Sequence, residues 1–177
     1  MLLLDPASTH LVVIDFQARL MPKIHDGARI LANARRLVAI AELLDIPVLL
    51  TEHNPAGLGD TVRELAESGP VVAKMSFDAC ADPDFIDALP DDDEELVLCG
   101  CEAHVCLGQT ALGLLSLGRR VIVVQDAVGS RTPENKAVAL RRLEKHGVEI
   151  VTTEMVAFEW LRSAEHPRFR DVLKLVK

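Results

Sequence analysis

The chain has 177 residues, which suits one domain over 1–177 with a real core and leaves no room for a second of ordinary size. Apolar residues make up 49% and the mean hydropathy is +0.21, yet no apolar run approaches the roughly 20 residues of a membrane span, so a span is excluded. A net charge of −8 with a pI near 5.2 repels phosphate-rich polymers on average and argues against nucleic acid as a partner.

The apolar surplus predicts strands buried on both faces, together with a subunit interface. Met1-Leu-Leu-Leu-Asp5 has neither the basic segment nor the length of a secretion signal, and four cysteines in such a chain read as thiols, so the expected compartment is the cytoplasm. Cys99, Cys101 and Cys106 form no Cys-x-x-Cys pair, and alternation points Cys99 and Cys101 to the same side of an extended segment, which gives a zinc site little support.

His10-Leu-Val-Val-Ile-Asp15 reads as a buried strand ending in an acid, followed by a loop over 16–26. A carboxylate there is expensive unless it is used or capped, so Asp15 is either a turn residue or a functional group. Residues 28–44 have helical spacing (Ile30, Leu31, Ala34, Leu37, Val38, Ala41, Leu44), and 46–50 make the second strand. The glycines and proline of 51–59 predict a loop leading to a short helix at about 61–68. Glu52 and His53 have metal-binding chemistry, but no second histidine or cysteine stands near, so they read as solvent-facing or pocket-wall residues. The third strand, 71–74, ends in Lys74, and its apolar content suggests a buried centre.

Asp82 caps and Pro83 opens a helix through about Leu89, and the acidic run 91–95 reads as a solvated loop. A fourth strand, 96–99, breaks at Gly100, and 105–117 form a helix that is apolar all round. Gly118 ends it before a fifth strand at 120–125 and a polar loop at 126–131. Thr132 and Pro133 start a helix through Lys145, 148–152 form a sixth strand, and helices follow from Thr153 and over 169–176.

Strands alternating with helices predict a three-layer α/β/α fold around a mostly parallel sheet. With strand order 3-2-1-4-5-6, ligands bind beyond the carboxyl ends where the order reverses, between strands one and four. Asp15 and Cys106 fall at that junction, with Lys74 on the same edge. Cys106 sits in a first helical turn, where free N–H groups and the helix dipole favour the reactive thiolate; the competing reading is an ordinary core cysteine. Asp15 is placed to take its proton and Lys74 to hold both anions. No Gly-x-Gly-x-x-Gly, P-loop or Gly-x-Ser-x-Gly pattern offers another chemistry.

Val-Val-Ile-Asp15-Phe-Gln17, Lys74 after the third strand and Gly100-Cys-Glu-Ala-His-Val-Cys106, in this order, resemble the isochorismatase-like cysteine hydrolases over nearly the whole chain. The pieces Leu50-Thr-Glu-His-Asn-Pro-Ala-Gly-Leu-Gly59 and Glu165-His-Pro-Arg-Phe-Arg170 are most similar to the isochorismatase domain-containing proteins. The resemblance implies Asp15, Lys74 and Cys106 as a catalytic triad, and a cis peptide between Cys101 and Glu102 that turns the Glu102 and Cys106 N–H groups toward a substrate carbonyl. It implies thiolate attack on a small amide-like molecule, a thioester intermediate, and a dimer or larger homo-oligomer. Metal-binding nicotinamidases use an aspartate and two histidines where this chain has Glu52 and His53, so neither a metal nor another cofactor is expected. Vinyl ether cleavage, as in true isochorismatases, stays open, as do a non-catalytic scaffold and a thiol redox sensor. Phe16, Phe77 and His104 are candidates for the pocket wall or for packing.

Overall fold

The computed structural model describes residues 2–90 and 94–177. Its elements are β1 (Thr9–Ile14), α1 (Gly27–Leu43), β2 (Val48–His53), α2 (Pro55–Leu58), β3 (Val71–Lys74), α3 (Pro83–Ala88), β4 (Glu95–Cys101), α4 (Cys106–Ser116), β5 (Arg120–Gly129), α5 (Pro133–Lys145), β6 (Glu149–Val151), α6 (Thr153–Leu161) and α7 (Phe169–Val176). All six strands pair in parallel in the order β3-β2-β1-β4-β5-β6, with helices on both faces.

Period-two alternation divides the buried strands between two cores. Leu11, Val13, Val97, Cys99 and Ile122 face α1, α6 and α7, where Leu37, Trp160 and Val172 meet them. Val12, Ile14, Leu96, Leu98 and Val123 face the other way, onto Phe85, Leu107, Ala111 and Leu143. Cys99 and Cys101 share the first of these cores, and all four cysteines are free thiols. Among the described residues no helix is long and apolar enough to cross a membrane.

The structure departs from the sequence reading where one segment's conformation depends on another. Residues 61–68 are turns, not a helix: Leu65 and Ser68 bond back three residues, and the Glu52 side chain takes the Thr61 N–H. One buried anchor, Leu65, does not give this segment an apolar face to bury as a helix. β2 runs on to His53 because β3 pairs with Thr51, Glu52 and His53. β3 is the edge strand, so Val71 and Ala73 are exposed and only Lys74 is buried. β4 continues through Gly100 to Cys101.

The polar stretch that ended the fifth strand in the sequence reading is a bulge. Pairing of β4 with β5 jumps from Leu98–Val123 to Gly100–Val128, and β5 resumes to Gly129 beyond Gln125 and Asp126. Of the acidic run, Asp91, Asp92 and Asp93 lie outside the described residues. Glu95 is no loop residue; it is buried at the start of β4, where it accepts the Asp5 N–H at 3.0 Å and pairs with Arg120.

Candidate active site

β1 ends at Ile14, and Asp15 turns over at its carboxyl end with φ of 52°. Its side chain is buried, and both oxygens are taken: Thr51 Oγ1 donates to Oδ1 at 2.7 Å and Lys74 Nζ to Oδ2 at 2.9 Å. The register Ile14–Thr51 and His53–Lys74 brings these residues together from three neighbouring strands. Lys74 Nζ also donates to the Ser76 carbonyl at 3.2 Å, so the ammonium is paired and solvated by protein.

Cys106 is the first residue of α4 and is 6% exposed. Burial and the Asp15 carboxylate push its thiol up to about 12, while Lys74 pulls the other way and is outweighed. The sequence reading favoured a resting thiolate from the helix start; burial of the sulfur, with the Asp15 carboxylate beside it, works against that. Iodoacetamide labelling of Cys106 is therefore expected to quicken about tenfold per pH unit from pH 7 to 10, without the plateau of a free thiol near its usual pKa of about 8.5. Peptide mass spectrometry across that range checks it, and a plateau at or below pH 8.5 contradicts it.

The turn before α4 is pinned from several sides. The Cys101–Glu102 peptide is cis, Ala103 N–H donates to the Gly129 carbonyl at 2.7 Å, and Val105 and Leu107 donate to the Glu102 carbonyl at 3.0 and 3.2 Å. Among the described residues the Cys106 N–H is not one of the donors of this turn. Arg131 Nε grips the Glu102 side chain at 2.8 Å.

The other sequence candidates lie at varied distances from this group. Phe16 is buried in the core against α1. Phe77 is 49% exposed, with its ring 5.1 Å from that of His53. His104 Nδ1 lies 3.0 Å from Ser130 Oγ, and the residue lines a cavity of about 150 Å³ between α4 and α5. Glu52 Oε1 accepts from Thr61 N and Oγ1 at 2.6 and 2.7 Å, and among the described residues no three His, Cys, Asp or Glu side chains are grouped to hold a metal.

A family model described as the isochorismatase domain matches residues 9–155. The chain belongs to the isochorismatase family. It is 38% identical over 174 residues to isochorismatase domain-containing protein 2 of Rattus norvegicus, covering 97% of this chain and 82% of that one. Among solved structures, one described as MAR1 ribonuclease from Caenorhabditis elegans is 34% identical with a TM-score of 0.89, covering 98% of this chain and 91% of that one. YcaC from Pseudomonas aeruginosa, solved with hexane-2,5-diol and covalent acrylamide, is 26% identical with a TM-score of 0.91, covering 98% and 91%.

Two residues around this group went unnoticed in the sequence. Thr51, read as the first residue of a loop, orients Asp15; only the register of β1 on β2 identifies it. Gln17, quoted in the sequence only as part of a motif, is buried, and its amide donates to the His53 and Gly59 carbonyls at 3.0 and 2.6 Å and accepts the His53 N–H at 2.9 Å. It ties the loop around α2 to the end of β1.

Proposed function

We propose that this isochorismatase-family hydrolase cleaves a small amide-like substrate through a thioester on Cys106, without a metal. The observation that carries the reading is one buried cluster joining an acid, an amine and a helix-start thiol: Lys74 on Asp15 at 2.9 Å, and both side chains acting on Cys106. A thiol held near 12 is protonated at rest, so its proton passes to Asp15 as the sulfur attacks the carbonyl carbon. Lys74 keeps Asp15 in place through this exchange. The Glu102 and Cys106 N–H groups receive the developing oxyanion.

Collapse of the tetrahedral adduct breaks the C–N bond, and Asp15 returns the proton to the departing amine. Water, deprotonated by Asp15, then hydrolyses the thioester to a carboxylic acid and restores the thiol. That YcaC was solved with covalent acrylamide supports a reactive nucleophile in a protein of this fold. Engagement of Glu52 by Thr61 supports a reaction that does not recruit that carboxylate to a metal. Exposed Met75 and Phe77, beside Lys74, support a homo-oligomer whose contacts cover this rim.

The test is a screen of amides, ureides, vinyl ethers and a short RNA, with mass detection on the intact chain. Release of ammonia or amine is expected together with an acyl adduct on Cys106, and Cys106→Ala is expected to abolish both. Turnover that survives in Cys106→Ala removes the reading. RNA or vinyl ether cleavage with no adduct replaces it with another chemistry, and no turnover of any probe leaves the scaffold reading in its place.

A further inference from the structure

A second cavity, of about 240 Å³, opens at the carboxyl edge of the sheet between the start of α1 and the start of α5, and Asp15, Lys74 and Cys106 are not among its lining residues. Its polar wall includes His25, Asp26, Arg29, Ser130 and Lys136, and Ile30 and Leu140 supply apolar surface. In a chain of net charge −8, a guanidinium, an ammonium and an imidazole facing one carboxylate is a local reversal of sign.

The pairing inside the cavity leaves one cation over. Asp26 Oδ2 is bound to Arg29 at 2.9 Å, and the His25 imidazole lies 4.0 Å from the same oxygen. Asp126, the next acid in range, has Oδ1 committed to Thr153 N and Oγ1 at 2.8 and 3.0 Å. Lys136 is half-buried, and its ammonium makes no hydrogen bond or ion pair among the described residues. Burial and the Arg29 guanidinium push its pKa down, against a weaker pull from Asp126, Cys101 and Asp26. An ammonium drawn out of water and set near a second cation is a cost that an anionic ligand removes.

We propose that this cavity is a binding site for a phosphate-sized oxyanion, held between Lys136 and Arg29. The size fits: the space takes several waters of about 30 Å³ each and is smaller than the roughly 300–1,000 Å³ of drug-sized pockets. Lys136 supplies a mobile point charge with three donors, and Arg29 a planar fork that turns from Asp26 to the ligand. The oxyanion is either free or the phosphoryl group of a larger molecule, and the site lies one residue before Arg131, whose guanidinium holds Glu102.

Calorimetric titration of the full chain at low ionic strength with inorganic phosphate and with glycerol 3-phosphate tests this. Saturable one-to-one binding is expected for at least one probe, weakened about tenfold or more in Lys136→Gln and in Arg29→Gln, and unchanged in Lys145→Gln on the exposed end of the same helix. Tighter binding of glycerol 3-phosphate assigns the site to a phosphoryl group, and equal binding assigns it to the free ion. Absence of saturable binding by the unaltered chain, or equal affinity in well-folded Lys136→Gln, overturns the proposal.

Discussion

Replacing Lys74 with methionine is expected to lower the unfolding free energy at neutral pH by about 3–5 kcal/mol, the usual effect of removing one member of a buried ion pair. The methionine fills most of the space of the lysine stem, so lost packing is a minor part. What remains is Asp15, buried, with Thr51 Oγ1 donating to one oxygen and the Cys106 thiol beside it. Its carboxylate then carries the full desolvation penalty with no cation to offset it.

Urea unfolding at pH 7 measures the loss. The double change Asp15→Leu with Lys74→Met is expected to recover much of it, since an apolar pair of similar volume avoids the penalty altogether. A deficit below about 1 kcal/mol would mean that water reaches the pair.

Gly100→Ala is expected to cost about 2–6 kcal/mol, the sum of two separate penalties of about 1–3 kcal/mol each. Gly100 has φ of +144°, a region closed to side chains, and a Cβ placed there runs into the Ile14 carbonyl. Ile14 pairs with Gly100 across β1 and β4 and directly precedes Asp15, so the displaced backbone carries the carboxylate away from Lys74. Gly118→Ala isolates the backbone part. Gly118 also has positive φ, +80°, but a Cβ there meets nothing within 4 Å, so it is expected to lose only about 1 kcal/mol or a little more. Equal losses for the two variants in thermal unfolding would show that strand contact at Gly100 contributes nothing.

Much of the architecture was legible because its signals are local. Apolar runs such as Leu96-Val97-Leu98 announce strands buried on both faces, Thr132 with Pro133 announces a helix start, and a strand–helix alternation leaves few topologies for the sheet. The bulge in β5 was illegible for the opposite reason. Gln125 and Asp126 are polar because they leave the ladder, and Asp126 then serves Thr153, a residue far along the chain. Glu95 likewise reads as the end of an acidic loop until Arg120, Asp5 and Thr9 close around it.

From its own order of residues the chain determined which segments are strands, which are helices, and that Asp15, Lys74 and Cys106 end or begin such segments at one edge, since periodicity and capping act over a few neighbours. Tertiary structure alone decided the chemical state of that group. Whether the Cys106 sulfur keeps its proton depends on how deeply it is covered and on a carboxylate brought from 91 positions away, and burial and charge act through space, with no regard to sequence distance.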